Sequence, residues 1–272
     1  MSNEKVSIIM GVYNAEKTIE KAINSIVNQT YKNWELIICD DCSSDSSFEI
    51  IDRFTKLDRK IILLKNTENM RLPYTLNKCI YHATGVYIAR MDADDISVEN
   101  RLEQQVKFLN ENSHISMVGS NSFLFDENGI KGVRKKEEHP TFKSLRLGNP
   151  FIHPTIMIRK SVLLDLGGYT VSKRTIKGQD SDLWFRFFNN NNAAYNIQYP
   201  LLYYREGVED YKRRDLSSAI QRVYNYYFGF KLLKYPKIYY LLLLKPLVSS
   251  VVPNKIMYYY HKKKNKLPKG KF

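Results

Sequence analysis

Three aspartates lie almost side by side in the sequence, as Asp92-Ala93-Asp94-Asp95. Carboxylates this close repel one another unless a cation lies between them, and their hard oxygen atoms suit Mg²⁺ or Mn²⁺. Such a cation also bridges the oxygens of a diphosphate. A solvated acidic turn before the next helix explains the same pattern, because aspartate is favoured where helices start. The tetrapeptide alone leaves the metal–diphosphate site and the ordinary turn both open.

The segments before this cluster alternate between strand and helix patterns. Short apolar runs predict four strands, over residues 6–13, 34–39, 60–65 and 86–91. Apolar stripes at helical spacing predict three helices between them, over residues 15–28, 47–57 and 72–83. Asn14 is the expected cap of the first helix and Gly85 that of the third. This order predicts an α/β fold with a mostly parallel sheet covered by helices.

Polar residues follow each of the four predicted strands, at Asn14, 40–45, 66–69 and 92–95. Ligands of parallel sheets bind beyond the carboxyl ends of the strands, so these residues predict one binding site at that edge. The metal–diphosphate interpretation of the aspartates gains weight from the acidic residues of 40–45. Neither a GxGxxG nor a GxxxxGK[ST] motif is present, which disfavours dinucleotide-dependent dehydrogenases and P-loop proteins.

The pair Cys39-x-x-Cys42 is compatible at first sight with redox or zinc chemistry. A zinc site needs four ligands and a redox pair normally opens a helix, whereas Cys39 ends a predicted strand and no second CxxC exists. We therefore interpret both cysteines as small residues beside the binding site. Three cysteines in 272 residues indicate a reducing compartment, and no signal peptide is visible, so a cytoplasmic location is expected.

The charge of the chain is concentrated at its end. The formal net charge is +14, yet residues 211–272 hold 15 basic and only one acidic side chain, so residues 1–210 are neutral. With 43% hydrophobic and 26% charged residues, the composition excludes disordered, collagen-like and polytopic membrane proteins. We predict one domain over residues 1–210 and a basic, aromatic, helical tail over residues 211–272.

Three interpretations of the tail stay open. Its apolar run over residues 238–252 is split by Lys245-Pro246 and is too short for a membrane span, which needs about 20 apolar residues. Tyrosine, leucine and lysine together favour short helices lying on an anionic membrane surface. A helical cap on the body is the plainer alternative, with a helix expected over 217–233. A nucleic-acid patch is disfavoured by the apolar run, so no nucleic-acid partner is expected.

Five segments together resemble one known family, the family 2 glycosyltransferases with the A fold. They recur in the family's order between about Val6 and Arg205, over roughly three quarters of the chain: VSIIMGVYN, WELIICDDCSSDSS, NTENMRLPYTLNKCIYHATGVYIARMDADD, IHPTIMIRKSVLLDLGGY and GQDSDLWFRF. The sequence is most similar to bacterial members that build capsule, O-antigen or other surface polysaccharides. The resemblance implies a nucleotide-sugar half over about residues 1–110 and an acceptor half over 111–210.

The resemblance also implies a donor site with a cation. The nucleotide sugar would contact Val12, Tyr13, Asn14, Asp40, Asp41, Arg71, Asp92 and Ala93. Within that set, Asp40 or Asp41 would accept a hydrogen bond from the nucleobase, and Arg71 would meet phosphate. Asp94, with Asp92 beside it, would ligate Mn²⁺ or Mg²⁺. Gly11 stands where the family usually has proline, which leaves the backbone there less rigid.

Asp180 matches the family's general base, which deprotonates the acceptor hydroxyl. Gln179 precedes it where glutamate is commoner, and Asp182 is an alternative base or a helix-capping residue. His153 and Trp184 are weaker candidates for contact with the acceptor, and ordinary core positions explain both. Arg90 and Arg101 lie near the donor segments, and surface ion pairs are the favoured explanation for them.

These residues together predict a metal-dependent, inverting glycosyltransferase. It would move a hexose from a nucleotide sugar, most simply a UDP-sugar, to a hydroxyl of a lipid-linked oligosaccharide at the inner face of the cell membrane. A nucleotidyltransferase is one alternative, although 11–18 is not the glycine-rich basic loop that such enzymes use. A non-catalytic module that binds membrane or nucleic acid is another, and Asp92, Asp94 and Asp180 argue against it.

Overall fold

A nine-stranded sheet forms the centre of the chain in the computed structural model, which describes residues 3–207 and 216–252. The strands are β1 Val6–Val12, β2 Trp34–Asp40, β3 Ile61–Lys65, β4 Tyr87–Arg90, β5 Ile96–Ser97, β6 Met117–Asp126, β7 Gly129–Arg134, β8 Met157–Arg159 and β9 Ala194–Arg205. The helices are α1 Ile19–Val27, α2 Ser47–Leu57, α3 Arg71–His82, α4 Arg101–Glu111, α5 Lys160–Asp165, α6 Gln179–Asn189, α7 Leu216–Leu232 and α8 Leu244–Val251. Short 3₁₀ helices cover Phe142–Leu147, His153–Thr155, Lys173–Thr175 and Lys237–Leu243.

The sheet is parallel in its first half and mixed in its second. The strand order is β3-β2-β1-β4-β8-β6-β9-β5, with β7 on the side of β6. Strands β1 to β4 run parallel, as the sequence predicts, whereas β8 runs antiparallel to both β4 and β6. The structure therefore is an α/β sheet covered by helices with a helical C-terminal segment, and the carboxyl ends of β1, β2 and β4 meet at one edge.

Two apolar layers cover the two faces of the sheet. Alternation along β1 shows the division, because Ile8 and Met10 belong to the layer under α1, α2 and α4, whereas Ile9 belongs to the layer under α3, α5 and α6. All three side chains are essentially inaccessible to solvent. A strand buried on both faces carries apolar residues at nearly every position, which explains the apolar run in the sequence. The polar exception, Ser7, is also buried and donates a hydrogen bond to Glu35.

Two predicted helix caps have other roles. Asn14 adopts a positive φ of 51° and accepts a hydrogen bond from the Ser44 backbone N–H at 2.9 Å, so α1 begins only at Ile19. Helix α3 ends at His82, before Gly85. A Cβ atom at Gly85 would lie 2.6 Å from the Lys5 carbonyl oxygen, so this glycine permits close backbone approach instead of capping the helix.

The described part of the tail packs on the body. Helix α7 crosses α6 at Gly229, where a Cβ atom would overlap the Phe185 ring. Phe230, Tyr235 and Leu243 are buried in the same core layer as α6. This arrangement agrees with the predicted helix at 217–233 and with a cap on the body. The lysine-rich end, residues 253–272, lies outside the described residues. Among the residues described, none of the helices has the length and apolar character required to cross a bilayer.

Candidate active site

Two cavities meet at Asp92, beyond the carboxyl ends of β1 and β4. The first has a volume of about 500 Å³ and is lined by Gly11, Tyr13, Asn14, Ala15, Glu16, Lys17, Thr18, Asp45, Asp92, Ala93, Asp94 and Arg205. The second has a volume of about 470 Å³ and is lined by Leu72, Arg90, Asp92, Arg134, Lys136, Asn149, Phe151, Ile152, His153, Pro154, Gln179, Asp180 and Tyr204. We call them the Asp94 cavity and the Asp180 cavity.

The three adjacent aspartates form a cluster of hard oxygen ligands. Carboxylate oxygens of Asp92, Asp94 and Asp95 lie within 4.8 Å of one another. Asp95 is buried, and its Oδ1 accepts a hydrogen bond from the Arg205 backbone N–H at 2.8 Å. Its Oδ2 is buried without a hydrogen-bond partner. Burial and the charges of Asp92 and Asp94 raise the pKa of Asp95, which is the repulsion that a divalent cation relieves. The cluster fits Mn²⁺ or Mg²⁺.

Asp40 and Asp41 are both buried but differ in how their oxygens are used. Both oxygens of Asp41 accept hydrogen bonds at the start of α3, from the backbone N–H groups of Met70 at 2.8 Å and Arg71 at 2.9 Å. Asp40 accepts from the Ser43 backbone N–H at 3.1 Å through Oδ2, while its Oδ1 has no partner. Asp41 therefore anchors helix α3, and Asp40 is the carboxylate with an oxygen to spare.

The predicted donor residues divide into two groups. Tyr13, Asn14, Asp92 and Ala93 line the Asp94 cavity, together with the predicted metal ligand Asp94. The other predicted donor residues line neither cavity. They are Val12, Asp40, Asp41 and Arg71. These residues lie behind the lining of the Asp94 cavity. The backbone N–H of Asp41 donates to the Val12 carbonyl at 2.7 Å, and the Arg71 backbone N–H donates to Asp41 Oδ2 at 2.9 Å.

Asp180 lies at the start of α6 and lines the Asp180 cavity. Its Oδ2 accepts a hydrogen bond from Asn149 Nδ2 at 2.5 Å, and its Oδ1 accepts from the Ser181 backbone N–H at 2.7 Å. Desolvation raises the pKa of Asp180 above its ordinary value. A carboxylate with a raised pKa is a stronger base, and it faces an open cavity, so the arrangement can accept a proton there.

Asp182 has a structural role in the same helix. Its two oxygens accept hydrogen bonds from Thr170 at 2.6 Å, from Arg186 at 2.9 Å and from Arg174. Burial opposes ionisation, but the Thr170 hydrogen bond and the two arginine charges lower the pKa of Asp182 overall. The side chain forms ion pairs instead of capping α6, and its oxygens are occupied away from the cavity.

The interpretation of Arg90 and Arg101 as surface ion pairs is wrong, because both side chains are 1% exposed or less. Arg90 Nη2 lies 2.5 Å from Asp92 Oδ1, and Arg90 lines the Asp180 cavity. Arg101 Nη2 donates to the Arg90 carbonyl at 2.8 Å, and burial lowers the pKa of Arg101 to about 9. Ile88 and Arg90 lie on the same buried face of β4, since side chains alternate along a strand. This alternation could have predicted from the sequence that Arg90 points into the core.

His153 lies at the Asp180 cavity, and Trp184 lies behind it in the core. His153 lines the Asp180 cavity, and its Nε2 lies 2.7 Å from the Tyr169 hydroxyl oxygen. Burial lowers the pKa of His153 well below its ordinary value, so the ring is neutral. Trp184 is fully buried behind it, with ring centroids 5.9 Å apart. The structure therefore places the histidine at the cavity and the tryptophan in the core.

Sequence reasoning missed four polar side chains of the Asp180 cavity, namely Arg134, Lys136, Asn149 and Tyr204. The basic run at 134–136 was a usable signal for two of them. Asn149 carries no local signal, because its hydrogen bond to Asp180 spans 31 residues of the chain. Cys39 and Cys42 are free thiols, and Cys39 is buried.

The fold is similar to those of two proteins of known structure. The chain superposes on S. aureus TarS 1-349 in complex with UDP with a TM-score of 0.64 and 20% identity, covering 80% of this chain and 65% of that one. It superposes on the mannosyltransferase PcManGT from Pyrobaculum calidifontis, in complex with GDP-Man and Mn²⁺, with a TM-score of 0.63 and 17% identity, covering 97% and 81%. These similarities confirm the glycosyltransferase A fold.

Sequence relatives point the same way. EpsE of Bacillus subtilis (strain 168), which bears the name of a glycosyltransferase, is 42% identical over 97% of this chain and 95% of its own length. WfgD of Escherichia coli, a UDP-Glc:alpha-D-GlcNAc-diphosphoundecaprenol beta-1,3-glucosyltransferase, is 33% identical over 71% of this chain and 74% of its own. Residues 7–167 match Glycosyl transferase family 2. The chain belongs to the family 2 glycosyltransferases.

Proposed function

We propose that this glycosyltransferase moves a hexose from a UDP-sugar to a hydroxyl of a lipid-linked oligosaccharide, with inversion at the anomeric carbon. The observation that carries the proposal is the meeting of the two cavities at Asp92. One cavity ends on the three-aspartate cluster and the other on Asp180, which carries a basic carboxylate. A donor with its diphosphate at Asp94 and an acceptor with its hydroxyl at Asp180 would meet between them.

The donor part of the proposal rests on the Asp94 cavity and on the relatives. TarS was solved with UDP and with UDP-GlcNAc, and the name of WfgD specifies UDP-Glc. In this chain, the free Oδ1 of Asp40 is fully buried, so it would accept a hydrogen bond from the base only if the 41–45 loop beside it moves aside. Tyr13 and Asn14 would line the nucleoside, and Arg71 would meet phosphate if its side chain turns toward the cavity.

Asp92 and Asp94 would hold Mn²⁺ or Mg²⁺, with the buried Asp95 completing the negative charge of the site. The bound cation supplies positive charge that stabilises the departing diphosphate. The chain's own contribution is to fix the ligands. Arg90 orients Asp92, and the Arg205 backbone N–H orients Asp95. PcManGT, which shares the fold, was solved with Mn²⁺.

Asp180 would act as the general base. Its carboxylate would take the proton of the acceptor hydroxyl while that oxygen forms a bond to the anomeric carbon. The bond from the same carbon to the UDP oxygen breaks on the opposite face, so UDP leaves and the configuration inverts. Asn149 holds the Asp180 carboxylate in place. Burial raises the pKa of Asp180, which brings that pKa closer to the pH at which the enzyme works.

The lipid-linked acceptor and the membrane site are supported by the name of WfgD and by the tail. The surface of the tail helices exposes a set of large apolar side chains, Leu216, Ile220, Tyr224, Tyr227, Phe228, Leu232, Ile238, Leu241, Leu244 and Val248. Lys231, Lys234, Lys237 and Lys245 are exposed among them. Apolar and basic residues together suit an anionic lipid surface. We place the enzyme peripherally on the inner face of the cell membrane, in surface polysaccharide synthesis such as that of a capsule.

A donor panel tests the function. Purified full-length protein is incubated with each nucleotide sugar, Mn²⁺ and a membrane-derived lipid-linked acceptor pool, and the released nucleoside diphosphate is measured. We expect UDP release that needs the acceptor and that Asp180→Asn abolishes. Release of pyrophosphate from a sugar phosphate and UTP would identify a nucleotidyltransferase instead. Absence of release with every donor would leave a non-catalytic binding module as the better interpretation.

A further inference from the structure

Helix α7 of the tail contacts the short segment that carries Asp180. Two of its side chains reach residues 177–181, and a third reaches Asn149, which is hydrogen-bonded to Asp180. Ser218 accepts a hydrogen bond from the Lys177 ammonium group. Asn225 donates to the Gly178 carbonyl at 2.8 Å, and Tyr226 reaches the Asp180 partner Asn149. The tail thus covers the body at the very place where the base is held.

Asn225 is the centre of this contact. Its side chain is fully buried, although it lies on a helix whose other face is exposed. Its Nδ2 donates to Gly178, and its Oδ1 accepts from Arg174 Nη1 at 2.5 Å. Arg174 in turn pairs with Asp182, two residues after Asp180. One amide therefore ties both the turn before α6 and the first turn of α6 to the tail.

Gly178 explains why the turn needs such support. Its φ is 114°, a conformation that residues other than glycine rarely adopt, and it immediately precedes the first turn of α6. A Cβ atom at this position would lie 3.0 Å from Asn225 Nδ2. The glycine lets the chain turn sharply into α6, and its carbonyl accepts the hydrogen bond from Asn225. The orientation of the Asp180 side chain, in the first turn of α6, depends on this turn.

A second link runs through Asn149. The Tyr226 hydroxyl donates to Asn149 Oδ1 at 3.3 Å, and Ser181 Oγ donates to the same atom at 2.6 Å. These two bonds fix the amide so that its Nδ2 points to Asp180 Oδ2. Tyr226 is half-buried and Ser181 is buried, so the network is largely shielded from water.

We propose that α7 is a positioning element of the active site, in which Asn225 through Gly178 and Tyr226 through Asn149 hold the Asp180 carboxylate in its reactive orientation. The proposal rests on the proposed role of Asp180 as the base. It assigns to the first helix of the basic tail a task in turnover, separate from any contact with lipid. Asn225 and Tyr226 do not line either cavity, so they act only through other residues.

The test uses Asn225→Ala in the full chain. We expect kcat to fall roughly 10-fold to 100-fold, the range that small displacements of a catalytic group produce, with the KM for the UDP-sugar unchanged. Amide hydrogen exchange at residues 177–182 should become faster. Tyr235→Phe is the matched control, because it removes the Tyr235 hydrogen bond to the Phe142 carbonyl, another polar contact of the tail with the body. It should leave both kcat and exchange at 177–182 unchanged.

The Asp180→Asn background separates positioning from general destabilisation. If Asn225 acts through the base, adding Asn225→Ala to Asp180→Asn should lower kcat no further. The proposal would be overturned if Asn225→Ala lowered kcat by the same factor in the Asp180→Asn background as in the wild type. It would also be overturned if Asn225→Ala alone left kcat unchanged. Unchanged exchange at 177–182 would overturn it too, and this readout needs no activity. A wild-type protein without UDP release would refute the proposed function, while the exchange data still decide whether α7 holds the segment.

Discussion

Arg90 and Asp92 form an ion pair at the point where the two cavities meet, with Nη2 and Oδ1 2.5 Å apart. Arg90 is buried, whereas the Asp92 side chain keeps 31% of its surface exposed. The Nε and Nη1 atoms of Arg90 are buried without hydrogen-bond partners. The negative charge of Asp92 and its neighbours therefore stabilises a guanidinium that has few other partners, and the arginine fixes the aspartate in return.

Replacing this arginine should cost both stability and donor binding. Arg90→Met removes a buried partner of Asp92, and because Asp92 is partly solvated we expect a loss of about 1–3 kcal/mol in the free energy of unfolding. The KM for the UDP-sugar should rise as Asp92 loses its orientation. Urea denaturation and steady-state kinetics measure the two effects. Lys56→Met removes the exposed partner of Asp52 and should change stability by less than about 1 kcal/mol.

The aspartate cluster should govern binding of the donor. Asp94→Ala removes an exposed carboxylate, so the protein should stay folded while transfer is lost and UDP-sugar affinity in Mn²⁺ falls strongly. Titration calorimetry with and without Mn²⁺ checks this. Asp52→Ala, on an exposed face of α2, is the control and should bind normally. Full activity in excess chelator would show that the cluster does not use a cation.

Asp180→Asn should lower turnover without weakening donor binding. The amide keeps the shape of the side chain but has no basic oxygen, so kcat should fall at least about 100-fold. Asp182→Asn is the matched control two residues along the helix. It weakens the ion pairs with Arg174 and Arg186, so it should lower the melting temperature, while kcat should fall no further than in Asn225→Ala and far less than in Asp180→Asn. A parallel loss of donor affinity in Asp180→Asn would make Asp180 a binding residue.

The raised pKa of Asp180 predicts how both turnover and stability change with pH. Activity needs the ionised carboxylate, so kcat should fall as pH drops through the pKa of Asp180. That pKa lies above about 3.9, the ordinary value for aspartate. The folded state favours the protonated form, so this group stabilises the fold below its unfolded pKa and loses that contribution as pH rises through its folded pKa. The free energy of unfolding of the wild type, relative to that of Asp180→Asn, should therefore fall as pH rises through the folded pKa. A difference that does not change with pH would contradict the raised pKa.

Membrane binding of the tail can be tested without disturbing the core. Leu243 is buried in the body, so shortening the chain at 241 would damage packing, whereas Ile238, Leu241, Leu244 and Val248 are each more than half exposed. Replacing these four with serine should weaken co-sedimentation with anionic vesicles and leave the melting temperature nearly unchanged. Salt should release the wild type only in part, because the apolar contribution is not screened. Undiminished binding by the variant would exclude this surface as the lipid contact.

The sequence predicts the first half of the fold well because its signals are local. The predicted helix at 47–57 coincides with α2, and the predicted strand at 34–39 differs from β2 by one residue. Alternation and helical spacing depend only on which face of an element is buried, and that can be recognised within about ten residues. The aspartates at the ends of β2 and β4 follow from the same local pattern.

The rest of the site depends on contacts between distant segments. Arg90 is charged, and charged residues are rarely buried, so its place in the core is intelligible only with Asp92 folded over it. Asn149 lies in a loop, and its partners Asp180 and Tyr226 come 31 and 77 residues later. No periodicity reports such a meeting. The antiparallel β8 between β4 and β6 likewise follows from tertiary pairing and not from its three residues.

The hydrogen bond from the Arg205 backbone N–H to Asp95 also sets an order of events in the growing chain. The two residues are 110 positions apart, and Arg205 is the last residue of β9, which pairs with β5 and β6. At roughly 5–20 residues per second, a ribosome finishes Asp95 about 5–20 s before it reaches Arg205. During that interval the acidic cluster lacks the amide that orients its buried member. The buried member of the acidic cluster therefore cannot take its final orientation before the last residue of β9 has been synthesised.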